Sequence, residues 1–316
     1  MSNAVGVDLG GTKMLVGVVG PGPRVLYRAN QTDFGTTPEQ ILARLEAEVR
    51  QAMAADPGVD AIGLGIPCTI DRERGLAISA VNLPIADVPV RELMRERIGM
   101  PVFVDNDANL AALAEHRHGA ARGARNAVVL TIGTGVGGGL IIEGRPYRGS
   151  TGAGAELGHI VVDEDGPRCQ GNCPNHGCVE TLASGTALAR EGRAAAEVEG
   201  SALHAMLEAG QPIDGRAVTD AAAGGDEAAR MVVERAGYHL GVALSSLANV
   251  FEPDVIVVGG GVMAAGELLL APARAQLEAR ALPPQNRTPV VAASLGSDAG
   301  MIGAATMATD ELEAGE

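Results

Sequence analysis

The side chains with the most specific chemistry in the sequence lie between residues 159 and 178. His159, Cys169, Cys173 and Cys178 supply one imidazole and three thiols, the ligand set of a closed tetrahedral zinc centre. Free cysteines are the alternative, and His176 is a further imidazole in the same stretch. Four protein ligands leave no open position, so such a zinc would pin a loop rather than activate water. Two glycine-rich runs offer a different chemistry: Asp8-Leu9-Gly10-Gly11-Thr12-Lys13 and Gly133-Thr134-Gly135-Val136-Gly137-Gly138-Gly139. Backbone N–H groups unencumbered by side chains can wrap a phosphate, although a tight hairpin needing positive φ would also select glycine. Asp8 leads the first run and is placed to hold Mg²⁺, a hard cation that favours carboxylate and water. A third run, Gly259-Gly260-Gly261, follows an apolar stretch and suits close approach to a nucleoside. The remaining chemistry is that of a carboxylate. In Val104-Asp105-Asn106-Asp107-Ala108-Asn109 a strand pattern gives way to a helix pattern, the place where ligands sit in α/β sheets. Asp107 is the candidate proton acceptor there. An N-cap role for Asp107 or Asp105 is the alternative, and the helix dipole would favour the ionised carboxylate in either case.

Short β-rich runs must carry these groups: 4–9, 14–19, 61–66, 101–106, 127–133, 138–144 and 254–260. The first two are separated only by GGTK, which predicts a hairpin. The second glycine run contains G-x-G-x-x-G, but a dinucleotide fingerprint needs a helix to begin at the loop, and here GLIIEG continues as strand. Helix patterns lie between some strands. The clearest has Thr37 as N-cap, Pro38 in first position and Gln40 closing a capping box, after which Leu45, Val49 and Met53 recur on one face. Others cover about 107–118 and about 227–250, and the tail from 298 is a candidate helix returning to the first lobe. Hairpin first, then strand–helix alternation, occurs twice, which predicts two similar α/β lobes with a cleft between them. The expected division is 1–120 plus 298–316, and 121–297.

The chain has 316 residues, 46% of them apolar, enough for two cores. With 39 acidic against 24 basic residues its formal charge is −15, and it holds three tyrosines, three phenylalanines and no tryptophan. That balance argues against nucleic acid as a partner, because phosphate backbones need basic surface. No run of about 18 apolar residues suggests a membrane span, and MSNAVGVDLGG lacks the basic start of a signal peptide. The expectation is a soluble, cytoplasmic α/β enzyme. Cys68, alone in GLGIPCTI, reads as a small buried hydrophobe.

DLGGTK, VDNDAN, LTIGTGVGGG, GAELGH followed by a cysteine cluster, and VVGGGV occur in this order along nearly the whole chain. Together they resemble the ROK family of sugar kinases, most closely its glucokinase branch. The resemblance implies the actin-like (ribonuclease H-like) two-lobe ATPase fold and transfer of the ATP γ-phosphoryl group to the 6-hydroxyl of glucose. It implies ATP, Mg²⁺ and structural Zn²⁺ as cofactors, and a homodimer or homotetramer. Residue by residue, it makes Asp107 the base and places Asn82, Asn106, Asp107, Glu156, His159 and Glu180 about the sugar. Asp8, Gly10, Gly11, Thr12, Lys13, Thr134, Gly135, Gly137, Gly138, Gly260 and Gly261 would hold the nucleotide. His159 would serve both zinc and sugar. The family usually has one residue between the first two cysteines, whereas three (QGN) stand here. From the residues alone, Glu180 reads as a solvated helix charge and Asn82 as a turn residue before Pro84.

Other functions fit less of the sequence. Repressors of the same family carry an added N-terminal helix-turn-helix module, and with the phosphate hairpin already at Asp8 none is expected here. An actin-like scaffold would leave Glu156, His159 and the cysteines unexplained. N-acetylmannosamine, N-acetylglucosamine, fructose or mannose would use much the same acceptor set as glucose, and polyphosphate is a conceivable donor.

Overall fold

The computed structural model describes residues 3–11, 13–33, 35–80 and 83–315. Its strands are β1 (Asn3–Leu9), β2 (Met14–Val19), β3 (Val25–Gln31), β4 (Val59–Ile66), β5 (Cys68–Asp71), β6 (Leu76–Ala80), β7 (Ala86–Val88), β8 (Val102–Asn106), β9 (Ala127–Ile132), β10 (Val136–Ile142), β11 (Arg145–Tyr147), β12 (Val255–Gly259) and β13 (Val290–Ala292). The helices are α1 (Pro38–Ala55), α2 (Val90–Ile98), α3 (Asp107–His118), α4 (Val179–Ala183), α5 (Gly185–Ala195), α6 (Ala202–Glu208), α7 (Gly215–Ala223), α8 (Glu227–Phe251), α9 (Glu267–Arg280) and α10 (Ala299–Glu313).

Two five-stranded sheets repeat one plan, β3-β2-β1-β4-β8 and β11-β10-β9-β12-β13. In the first, β2 is antiparallel to β1 and to β3, while β4 runs parallel to both β1 and β8. In the second, β11 is antiparallel to β10, and β12 is parallel to β9 and to β13. A small sheet, β5-β6-β7, completes the set. This is the mixed α/β architecture expected from the two hairpins. β10 begins at Val136, two residues before the apolar run suggested.

The chain divides into two compact units. Unit 1 comprises Met1–Gly123, Gly139–Ala155 and Leu295–Glu316; unit 2 comprises Ala124–Gly138 and Glu156–Ser294. Relative to the expected lobes, residues 139–155 group with unit 1.

The first sheet shows why β1, β2 and β4 read as nearly unbroken apolar runs: both of their faces are covered. Successive side chains point to opposite faces. Val5, Val7, Leu9, Val16 and Val18 join Ile41, Leu45 and Val49 of α1 in one core. Ala4, Leu15 and Val19 join Ala111 and Ala114 of α3 and Met301, Ile302 and Ala305 of α10 in the other. α10 lies almost on the backbone, because a Cβ on Gly6 would come within 2.0 Å of the Met301 carbonyl oxygen. α1 has the expected Thr37–Gln40 capping box with Pro38 at its start. Among the described residues no helix is long and apolar enough to cross a membrane.

Candidate functional site

In unit 1 the carboxylates cluster at the C-terminal ends of β1 and β8. Asn106 caps α3: its Oδ1 accepts from the N–H groups of Ala108 (2.9 Å) and Asn109 (3.2 Å). Neither Asp105 nor Asp107 is the cap, which corrects that alternative. Asp105 is 1% exposed and its carboxylate is committed elsewhere, accepting from the Asn106 N–H at 2.8 Å and from Arg148 Nε at 2.6 Å. Asp107 is the first residue of α3, half-buried, with Oδ1 accepting from the Ala108 N–H at 2.9 Å. Its negative charge reaches Asp8 at the end of β1. Burial first, then Asp107, pushes the Asp8 carboxyl up to about 7, while Lys13 pulls it down. Burial and Asp107 likewise push the Cys68 thiol up to about 12, so this cysteine is an inert core residue. In the loop after β1 the Gly10 N–H donates to the Lys13 carbonyl at 2.7 Å, and Gly11 is exposed. Thr12 and Asn82 lie outside the described residues.

In unit 2 the loop between β9 and β10 is tied down from behind. The Gly185 N–H at the start of α5 donates to the Gly133 carbonyl at 2.7 Å, and the Thr186 hydroxyl donates to the Thr134 carbonyl at 2.8 Å. Glu180 of α4 accepts the Val136 N–H at 2.9 Å through Oε2, and a Cβ on Gly135 would come within 2.3 Å of that oxygen. Glycine at 135 therefore admits the Glu180 carboxylate to the loop. Gly137 is half-buried in β10. Gly138 is buried, and its absent Cβ makes way for the Leu157 side chain, so packing alone requires glycine there. After β12, Gly260 has φ 92° and lies against the Ile132 carbonyl, whereas Gly261 faces open space at the start of a short 3₁₀ turn.

Glu156 precedes a 3₁₀ turn, Leu157–His159, that brings it close to His159. Its carboxylate retains solvent exposure, yet the surrounding protein raises its pKa; His159 opposes that shift and Glu180 adds to it. His159, Cys169, Cys173 and Cys178 converge, with their ligand atoms all within 4.8 Å of one another. Cys173 Sγ and Cys178 Sγ are 3.8 Å apart, and His159 Nδ1 is 3.5 Å from Cys169 Sγ. A tetrahedral zinc with bonds of about 2.3 Å to sulfur and about 2.0–2.1 Å to nitrogen has sulfur–sulfur edges of about 3.8 Å and sulfur–nitrogen edges of about 3.6 Å. The site therefore fits zinc in both donor type and size. Burial raises the Cys169 and Cys178 thiols above the ordinary range, so three thiolates need a cation among them. The QGN insertion is accommodated in a turn around Gly171 (φ 57°), which leaves Cys169 inside the cluster. His176 is not part of it, and its Nδ1 instead meets the Gly166 carbonyl at 3.2 Å. With Nδ1 of His159 turned to the thiols, Nε2 is left for a second partner.

The chain matches the ROK family over residues 4–311. It belongs to the ROK family. Among ROK relatives, it is 36% identical over 312 residues to a glucokinase of Thermotoga maritima, covering 98% of each chain. It is 37% identical over 317 residues to a glucokinase of Streptomyces coelicolor, again covering 98% of each. A solved ROK family glucokinase from Streptomyces griseus, in complex with glucose and AMPPNP, superposes with a TM-score of 0.87 at 36% identity, covering 98% of this chain and 99% of that one. The fold is thus the actin-like ATPase fold of ROK sugar kinases. Against that background, sequence reasoning passed over two groups that shape the site in this ROK chain. Arg148 carries no motif, and an arginine in a turn looks like any solvated charge. Gly300 sits where a Cβ would come within 2.5 Å of the Asp8 carboxylate carbon, and its only signal is being one more glycine in a glycine-rich tail.

Proposed function

We infer that this protein is an ATP-dependent glucokinase, converting glucose and ATP to glucose 6-phosphate and ADP. The observation that carries this reading is its near full-length likeness, at 36–38% identity, to glucokinases, including one described with glucose and AMPPNP. In the reaction the sugar hydroxyl oxygen forms a bond to the γ-phosphorus while the bond to the β–γ bridging oxygen breaks, and ADP leaves. The hydroxyl must shed its proton as it attacks, and we assign Asp107 to take it. The α3 N-terminus favours the charged form of that carboxylate, and the Ala108 N–H holds one of its oxygens in place. Glu156, Glu180 and His159 Nε2 are assigned to the sugar hydroxyls, with Asn106 and Asn82.

Gly10, Gly11, Thr12 and Lys13 are assigned to the phosphates, as are Thr134, Gly135, Gly137 and Gly138. Gly260 and Gly261 are assigned to the nucleoside. Asp8 suits Mg²⁺, because a cation would relieve a carboxylate crowded by burial and by Asp107. When bound, Mg²⁺ neutralises charge on the phosphates. His159, Cys169, Cys173 and Cys178 would hold a structural zinc that stiffens the turn presenting Glu156. A cytoplasmic location and a homodimeric or homotetrameric state belong to the same reading, supported by the resemblance to the sugar kinases.

The Asp107→Asn variant tests the chemistry. Turnover should fall 10²–10⁴-fold while glucose binding, followed by calorimetry, is retained. A variant keeping more than about a tenth of the wild-type kcat would exclude Asp107 as the base.

A further inference from the structure

We propose that Arg148 is a positioning residue for phosphoryl transfer, acting through Asp105 to fix the turn that presents Asn106 and Asp107. This inference rests on the assignment of Asp107 as the base. Arg148 Nε donates to Asp105 Oδ2 at 2.6 Å, and its Nη1 reaches the Pro146 carbonyl at 3.3 Å. The other carboxylate oxygen of Asp105 accepts the Asn106 N–H at 2.8 Å. Asn106 in turn caps α3 with its Oδ1 and reaches the Cys68 carbonyl with Nδ2 at 3.3 Å. A push on Asp105 therefore moves the peptide that leads into Asp107.

Arg72 does not duplicate this contact. Its Nε lies 3.4 Å from the same Oδ2 without making a hydrogen bond, and its Nη2 is engaged by Glu311 of α10 at 2.6 Å. The Asp105 side chain is 2% exposed and that of Arg148 19%, so removing the guanidinium leaves a buried carboxylate with its strongest partner gone. The segment after β11 is shaped to hold Arg148 in place. The Gly154 N–H donates back to the Arg148 carbonyl at 2.9 Å, and a Cβ on Gly154 would come within 2.7 Å of that carbonyl carbon. Gly152, at φ 91°, presses against the Ile70 carbonyl of β5, leaving 2.1 Å for any Cβ. Both glycines thus let a loop close tightly behind one arginine.

The test compares R148M, R148K and D107N with the wild type, measuring kcat, KM for MgATP, KM for glucose and thermal melting. Misplacing a catalytic group by about 1 Å costs about 10²-fold. R148M should therefore lower kcat about 10–100-fold with KM for MgATP within about threefold. R148K keeps the charge but presents no Nε–H beside Pro146, and should recover only part of the loss. Should R148M fail to fold, R148K alone carries the comparison, with kcat down at least about fivefold and melting unchanged. The proposal is overturned if R148M, or a folded R148K standing in for it, keeps kcat within about twofold while D107N is inactive. It is also overturned if kcat falls only in proportion to a lost folded fraction. A D107N that still turns over would remove the base assignment itself, an outcome separable from either.

Discussion

Asp8 holds its proton more tightly in the folded protein than in the unfolded chain, about 7 against 3.8. A raised carboxyl pKa makes folding take up a proton between those values. Its contribution to stability is greatest below about pH 4 and is lost as pH rises through about 7. Asp8→Asn removes the cost of keeping the charge. At pH 8, without nucleotide, the variant should melt at least about 2 °C higher, since about 1 kcal/mol shifts Tm by about 2–4 °C at domain sizes of 150–250 residues. It should lose turnover with MgATP at the same time. An unchanged or lower melting temperature would contradict the crowding of Asp8 by burial and Asp107. At this scale the sequence was legible where residue type and chemistry coincide. The cysteine cluster, Asp8 and the VDNDAN turn all stood out. Which residue caps α3 did not, because Asp105, Asn106 and Asp107 are all good caps; only the committed Asp105 carboxylate decides for Asn106. Glu180 read as a solvated charge because its partner, the Val136 N–H, is distant in sequence and made of backbone.

Close backbone approach is the rule among the elements of unit 1, and glycine is its signature. Gly303 of α10 lies against the Leu110 carbonyl of α3, where a Cβ would come within 1.9 Å. Helix propensity favours alanine over glycine by about 1 kcal/mol, but the collision should outweigh it. Gly303→Ala is expected to lose about 2 kcal/mol in urea unfolding, and a stabilised variant would show that α10 and α3 are not in such contact. The loop of residues 159–178 gives the second test at this scale. Elemental analysis should find one zinc per chain in the wild type and well under one in Cys173→Ser, with a lower melting temperature. A wild-type protein with little zinc and undiminished stability would remove the metal assignment. The strands β1, β2, β4, β8, β9, β10 and β12 and the α1 capping box were readable because their apolar runs and end signals agree, whereas β3, β5, β6, β7, β11 and β13 are short or half-exposed and were not. Helices α4 to α7 were not singled out: each is short, between five and eleven residues, so an apolar face repeats too few times to stand out in the sequence, and α4, α5 and α7 take their place by packing against α8.

For the molecule as a whole, the repetition of one plan was legible as two hairpins, each followed by strand–helix alternation, whereas the edge strands β3, β11 and β13 of the sheet orders β3-β2-β1-β4-β8 and β11-β10-β9-β12-β13 were not. The grouping of residues 139–155 with unit 1 had no local signal, because it depends on long-range contacts such as Arg148 with Asp105. The substrate is the property least written in fold or motif, since a few hydroxyl-binding positions separate one hexose from another. The central claim is therefore tested most directly by measuring ADP release from MgATP with glucose. The comparison set is fructose, mannose, N-acetylglucosamine, N-acetylmannosamine and a control without sugar. The account predicts that glucose gives the highest kcat/KM, with glucose 6-phosphate formed in step with ADP. A faster rate with another sugar, or no sugar-dependent ADP release from folded, zinc-loaded protein, would contradict it.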